Sequence, residues 1–131
     1  MTWPALFGVF LLSHLVGDFL LQTSWQALSK AHGLGSNGEA RRALGMHALI
    51  YTLGFVPALI WIGAEVNAGV AIGIGALLLV SHAVIDDGTI VMAWVRHIKH
   101  VEGAPTVVVR LGVDQTLHVL VLGGLALIAT G

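Results

Sequence analysis

Long apolar stretches separated by short polar connections are the main pattern along the chain. A helix needs roughly 20 mostly apolar residues to cross a membrane, and four stretches have this length, about 3–26, 43–64, 68–95 and 109–129. Sheets with open edges would leave backbone groups unpaired in the hydrocarbon, so these spans are predicted to be helices. The pattern therefore predicts an all-α membrane protein, a four-transmembrane-helix bundle that forms a single domain over residues 1–131.

Composition supports the membrane class and excludes several others. Apolar residues make up 56% of the chain and charged residues 10%, whereas soluble domains carry about 25% charged residues. The net charge of −1 gives no basis for binding nucleic acid, and the absence of cysteine excludes disulfides and thiolate metal sites. No basic residue precedes the first apolar stretch, so a removable signal peptide is not expected.

The basic residues predict how the bundle is oriented. All six lie in or beside the first and third connections, and none lies in the tight turn at 65–67 or in the tails. Short basic loops stay in the cytoplasm, so both termini and this turn are predicted to lie outside. The basic residues are Lys30, Arg41, Arg42, Arg96, Lys99 and Arg110.

Polar residues recur at one depth in these spans. Each span carries a histidine in its cytoplasmic half, and three spans add an aspartate. An aspartate near the bilayer centre costs about 2.5–3.5 kcal/mol on insertion scales, and apart from Arg110 at the start of the fourth span, the spans contain no Lys or Arg to neutralise it. Such carboxylates must be protonated, paired with protonated histidine, hydrated or bound to a metal ion. The residues are His14, Asp18, His47, His82, Asp86, Asp114 and His118.

Imidazole nitrogen mixed with carboxylate oxygen is a ligand set suited to Zn²⁺ or another first-row divalent metal ion. Zinc is the favoured ion. Any one of these residues could instead form a hydrogen bond between helices. That alternative does not explain why three aspartates occur together. The predicted metal ligands are His14, Asp18, His47, His82 and Asp86, with Asp114 and His118 as catalytic residues and Gln22 and Gln115 orienting ligands or bonding to substrate.

Two segments of the chain are near copies. The sequence SHLVGD at 13–18 matches SHAVID at 81–86, and MHALIY at 46–51 is similar to LHVLVL at 117–122. The first and third spans run in the same direction, so the pattern predicts two parallel helix-hairpin repeats related by an axis along the membrane normal. Such an axis would bring both His–Asp pairs to one central place.

The segments SHLVGDFLLQ, HALIY, SHAVID and DQTLH together resemble the motifs of a small bacterial membrane protein family catalogued as domain of unknown function 3307. The resemblance covers all four spans in order and implies a multi-pass protein of the bacterial inner (cytoplasmic) membrane with the same polar set. Many members of that family carry a lysine three residues after the aspartate of the third span, where this chain has Thr89. The resemblance implies no particular reaction.

Three functions are compatible with this set of residues. The leading hypothesis is a metal-dependent hydrolase acting on a lipid or phosphoester from the cytoplasmic side. The second is a proton or metal-ion transporter or relay that uses the same buried groups. The third is an accessory subunit in which His47 and His118 ligate haem or a pigment. The expected partner is the lipid bilayer. The small residues Gly69 and Gly73 favour close helix packing within the bundle, and contact with a second copy of the chain is the alternative.

Overall fold

Seven α-helices and no strand make up the fold in the computed structural model, which describes residues 1–131. The all-α prediction is confirmed. The first helix continues into a π-helical turn, and two pairs of helices follow each other across short breaks. The elements are α1 (Trp3–Leu15), the π turn (Val16–Leu20), α2 (Ser24–Ser29), α3 (Gly38–Leu53), α4 (Val56–Glu65), α5 (Ala68–Asp86), α6 (Thr89–His97) and α7 (Val107–Thr130).

Three of these helical segments are long and apolar enough to cross a membrane: Trp3–Leu20, Ala68–Asp86 and Val107–Thr130. A fourth crossing arises if α3 and α4, which are bent by 49° at their junction, form one span. Pro57 lies in the first turn of α4, and a proline has no N–H with which to continue the hydrogen bonds of α3. This explains why the second apolar stretch is two helices rather than one.

The first and third apolar stretches are also shorter as helices than their sequences suggest. The first helix ends at Leu20 instead of near residue 26, because the Thr23 side chain accepts a hydrogen bond from the Gln26 amide and caps the separate helix α2. The third stretch is interrupted after Asp86 by Gly88, whose φ of +83° is unfavourable for any residue with a side chain. Both breaks lie beside the polar residues of the bundle.

The apolar core has two parts, with polar residues between them. The larger part holds Leu6, Phe10 and Phe55, and the smaller part consists of Ile85, Val91, Val95 and Val113. Large apolar side chains on the outer faces of α1, α5 and α7 are exposed, among them Leu12, Ile72 and Leu120. Apolar outer faces are what a lipid environment favours, and they agree with the membrane class.

Contacts at one end of the bundle join both termini to the α4–α5 turn. The amino group of Met1 lies 3.3 Å from a carboxylate oxygen of Glu65, and Trp3 Nε1 donates a hydrogen bond to the Gly123 carbonyl. Ala129, near the end of α7, packs in the same core cluster as Leu6. The termini and the 65–67 turn therefore share one end, as the charge pattern requires, while the side of the membrane that they face stays a prediction.

Candidate metal centre

The four histidines of the apolar spans meet between the two parts of the core, and each is at most 2% exposed. His14 comes from α1, His47 from α3, His82 from α5 and His118 from α7. The ring centroids of His82 and His118 are 4.8 Å apart, and those of His47 and His82 are 4.9 Å apart. The helices thus bring together the histidines that the sequence places at one depth.

Two of these histidines and two aspartates form the first ligand group. His47 Nε2 lies 3.3 Å from Asp18 Oδ1 and 3.0 Å from Asp86 Oδ2. His82 Nε2 lies 3.6 Å from Asp18 Oδ1 and 3.1 Å from Asp86 Oδ2. The two Nε2 atoms are 3.0 Å apart. We call Asp18, His47, His82 and Asp86 the four-residue group; each of them offers one ligand atom to a common point.

The spacing of this group fits a tetrahedrally coordinated ion. Zinc binds nitrogen and oxygen at about 2.0–2.2 Å, so the ligand atoms of a regular tetrahedron lie about 3.3–3.6 Å from one another. Five of the six separations in the four-residue group run from 3.0 to 3.6 Å, and the sixth, between the two carboxylates, is within 4.8 Å. Two imidazole nitrogens with two carboxylate oxygens suit several first-row divalent ions as well as zinc. The group could therefore hold a metal ion, and its geometry does not choose among these ions.

A second group shares Asp86 with the first. Asp86, Asp114 and His118 each offer one ligand atom to a common point. His118 Nε2 lies 3.8 Å from Asp86 Oδ1, and His118 Nδ1 donates to the backbone carbonyl of Asp114 at 3.0 Å. The two residues predicted to be catalytic thus lie next to the four-residue group, on the α7 side.

His14, predicted to be a metal ligand, lies outside both groups because each of its ring nitrogens has another partner. Nδ1 accepts a hydrogen bond from the Tyr51 hydroxyl at 3.1 Å, and Nε2 donates to Gln115 Oε1 at 3.0 Å. Gln115 Nε2 in turn donates to Asp114 Oδ2 at 3.1 Å and to Asp18 Oδ2 at 3.4 Å. His14 therefore fixes the orientation of Gln115, which bonds to one carboxylate of each group.

The π turn accounts for the difference between the two sequence copies. Asp18 lies within this wider turn, whereas its counterpart Asp86 ends a regular α-helix. π turns are frequent at functional sites because they change where side chains point. Gly17, in the same turn, lies so close to Tyr51 that an added Cβ would come within 2.6 Å of its ring. The first copy thus contributes only its aspartate to the four-residue group, while the second contributes both its histidine and its aspartate.

Two residues of the site, Lys30 and Tyr51, were not predicted from the sequence. Lys30 Nζ donates to Asp86 Oδ2 at 2.6 Å, so a basic residue of the first connection neutralises an acid that the spans themselves leave unpaired. A lysine in a loop carries no local signal of such a contact. Tyr51 stacks on the His82 ring with centroids 3.5 Å apart. Its position four residues after His47, on the same face of a helix, was a usable signal.

A cavity of about 430 Å³ adjoins both groups. Its walls carry two cations, Lys30 and Arg110, together with Asp18, Asp114 and Gln22. Gln22 Nε2 is buried without a hydrogen-bond partner, so this predicted residue makes no hydrogen bond to either ligand group. Asp86 also lines the cavity and is paired with Lys30, so Arg110 is the cation of this polar opening that has no carboxylate partner.

Asp87, next to Asp86 in sequence, stabilises the break between α5 and α6. Its Oδ1 accepts from the Leu34 amide at 2.9 Å, its Oδ2 accepts from Thr89 Oγ1, and its carbonyl accepts from the His32 amide. Burial alone would raise the pKa of Asp87, but these side-chain and backbone hydrogen bonds hold it below its usual value. Asp87 thus fastens the first connection, which carries Lys30, to the end of α5.

The fold and the site define an all-helical protein with apolar helices long enough to span a membrane and buried His–Asp groups that could bind metal. The chain belongs to the family described as protein of unknown function (DUF3307), whose profile matches residues 6–130. This match confirms the family resemblance drawn from the motifs. Neither the curated proteins nor the solved structures provide a match to the chain.

Proposed function

We propose that this protein is a metal-dependent hydrolase of the bacterial inner membrane that acts on a lipid or phosphoester from the cytoplasmic side. The observation that carries the proposal is the tetrahedral spacing of the buried four-residue group beside a cavity with two cations. A structural role in helix packing would not require two imidazole nitrogens and two carboxylate oxygens to converge at ligand distances. Buried charges of this kind mark functional sites in membrane proteins.

The residues divide into roles by their contacts. The four-residue group would fill the four tetrahedral positions of a divalent ion, so a water would bind only if the ion became five-coordinate. The ion would then lower the pKa of that water toward about 7 and polarise a carbonyl or phosphoryl oxygen. Asp114, in the cavity wall and 22% exposed at its side chain, would take the proton of the attacking water. Gln115 would hold Asp114 and Asp18 in place through its two donated hydrogen bonds.

Arg110 favours an anionic substrate. It lines the cavity with Lys30, but Lys30 is paired with Asp86, whereas Arg110 has no carboxylate within salt-bridge distance. An arginine without an internal partner is available for a phosphate or carboxylate group, which it binds through paired hydrogen bonds. Because the cavity lies at the end of the bundle that carries the basic connections, a lipid headgroup or a phosphoester at the membrane surface fits this site.

The proposal is tested by removing metal from the purified protein and restoring it. Wild-type protein is expected to contain stoichiometric metal and to hydrolyse a member of a panel of lipids and phosphoesters. Chelation should abolish the activity and Zn²⁺ should restore it. Asp114→Asn should lower kcat by about 10²–10⁴-fold, the usual contribution of a general base, while keeping the metal of the four-residue group. Glu102→Gln, on an exposed connection, is the matched control, and wild-type protein without metal would overturn the proposal.

A transporter or relay is the second candidate, and one observation favours it. Hydrogen bonds link Tyr51, His14, Gln115 and Asp114 inside the bundle, and buried aspartates and histidines of this kind mark proton and ion pathways in transporters. Flux of protons or Zn²⁺ into liposomes containing the protein would distinguish the two, since a hydrolase should move neither. A haem or pigment ligated by His47 is disfavoured, because its Nε2 lies 3.0 Å from both His82 Nε2 and Asp86 Oδ2 and leaves no room for a macrocycle.

A further inference from the structure

The two oxygens of Asp86 face different ligand groups. Oδ2 lies 3.0 Å from His47 Nε2 and 3.1 Å from His82 Nε2, within the four-residue group. Oδ1 instead faces His118, at 3.8 Å from Nε2. A carboxylate with one oxygen toward each of two ligand groups is placed to bridge two metal ions, which in two-metal enzymes lie about 3.5–4 Å apart.

His118 is prepared to act as a ligand through Nε2. Its Nδ1–H donates to the Asp114 carbonyl at 3.0 Å, which leaves the lone pair on Nε2 in the neutral ring. The His118 side chain is only 2% exposed, and its Nε2 atom is buried without a hydrogen-bond partner. Leaving a polar atom buried without a partner costs about 1–3 kcal/mol. A cation at this position would remove that cost, and a backbone carbonyl on the other ring nitrogen is the usual partner of a metal-bound histidine.

Asp114 supplies the remaining oxygen. Its Oδ2 accepts a hydrogen bond from Gln115 Nε2, and one of its oxygens lies within 4.8 Å of a ligand atom of Asp86 and of His118. A carboxylate that binds an ion through one oxygen keeps the other free to accept a proton. Asp114 can therefore hold an ion and still act as the base of the proposed reaction.

We propose that the protein binds a second divalent ion between Asp114 and His118, bridged by Asp86 to the ion of the four-residue group. This inference rests on the proposed function, because it adds a second position to the same metal centre. With neutral histidines, the three aspartates and Lys30 carry a net charge of −2, which one divalent ion balances. The second ion would then bind together with an anion such as hydroxide or the phosphate of a substrate. Two ions on opposite sides of that anion would stabilise both the attacking and the leaving oxygen.

The number of ions per chain tests the inference. Purified protein is dialysed against Zn²⁺ in the presence of inorganic phosphate, and the bound metal is counted by mass spectrometry. Wild type should hold two ions, His118→Gln one, and the exposed-histidine control His97→Gln two. One ion in wild type would overturn the second site and leave the proposed function intact. No ion in wild type would overturn both the second site and the proposed function. Two ions in His118→Gln would also overturn the inference.

A spectroscopic measurement on the wild type is independent of whether any variant folds. Protein loaded with Mn²⁺ should give the electron paramagnetic resonance spectrum of a coupled pair, because ions bridged by one carboxylate lie about 3.5–4 Å apart. A spectrum of isolated Mn²⁺ at saturating metal would contradict the bridge. Asp114→Asn should convert the coupled spectrum into that of a single ion.

Discussion

At the scale of single residues, His14 and His82 occupy equivalent places in the two sequence copies and make different contacts. His82 Nε2 lies within ligand distance of His47, Asp18 and Asp86. Both ring nitrogens of His14 are engaged by Tyr51 and Gln115. Equivalent sequence positions thus separate into a candidate metal ligand, His82, and a residue that contacts Gln115, His14, and substitution can tell the two proposed roles apart.

We expect His82→Gln to lose the ion of the four-residue group and His14→Gln to keep it. The ligand substitution removes a bond to the metal, whereas the positioning substitution disturbs only Gln115 behind the ligands. Loss of such an outer partner typically weakens metal binding about 10- to 100-fold. Metal content and Zn²⁺ affinity of the two purified variants check this prediction. Equal loss of metal in both would contradict the assignment of His14.

Arg110 provides a second contrast between residues. Arg110→Gln should raise KM for an anionic substrate about 10- to 100-fold with a smaller change in kcat, because a hydrogen bond to a charged group contributes about 1.5–3 kcal/mol. Arg41→Gln is the matched control, since Arg41 binds the Gly35 carbonyl away from the cavity. Steady-state kinetics on one anionic substrate measures both. An unchanged KM in Arg110→Gln would exclude Arg110 from substrate binding.

At the scale of elements, the breaks in the helices position the site. The interruption after α5 lets the connection carrying Lys30 pack against the end of that helix, through Asp87 and Leu34. The π turn of the first helix carries Asp18 to the four-residue group. A continuous 28-residue helix over 68–95, as the apolar pattern alone suggests, would leave no place for the contact between Lys30 and Asp86.

Gly88→Ala tests the break between α5 and α6. An added Cβ would be 3.5 Å from Arg110 Nη2, an ordinary contact, so the expected cost comes from the backbone at φ +83°. An alanine in the left-handed region costs about 1–2 kcal/mol, and the thermal unfolding midpoint in detergent should fall. Gly112→Ala, within α7 with open space around it, should leave the midpoint unchanged or raise it. Equal midpoints for the two variants would contradict the role of Gly88.

At the scale of the whole molecule, the arrangement of the ends predicts an even number of membrane crossings. Both termini and the 65–67 turn lie at one end of the bundle, and the connections with the basic residues lie at the other. The positive-inside rule then places the basic end in the cytoplasm. This orientation also decides from which side substrate reaches the cavity beside Lys30.

Because the chain has no cysteine, single introduced cysteines can report the orientation without background. In intact cells, a membrane-impermeant thiol reagent should label Val66→Cys and should not label Glu102→Cys. Both positions should react after permeabilisation, since both side chains are exposed. Labelling of Glu102→Cys alone in intact cells would reverse the predicted topology and place the cavity on the outer side.

The family motifs and the apolar pattern account for much of the fold and site. The apolar stretches identify the helical class because hydrocarbon permits few other backbone structures. The recurrence of histidine at one depth indicates which helices bring their histidines together. Within a helix, residues four positions apart share one face, so each His–Asp pair points the same way. The similar segments predict equal roles for His14 and His82, whereas the π turn and Tyr51 give the two histidines different surroundings.

The sequence by itself determined the all-helical class with helices apolar enough to cross a membrane, the family, and a polar set of histidines and aspartates. Each of these depends on composition, periodicity and motifs that are local in the chain. Only the tertiary structure decided that Lys30 neutralises Asp86, that His14 positions Gln115, and that the two oxygens of Asp86 face different ligand groups. These contacts join residues that are 32 to 101 positions apart. Ligand geometry is fixed to a few tenths of an ångström by packing between helices, and no local pattern encodes it.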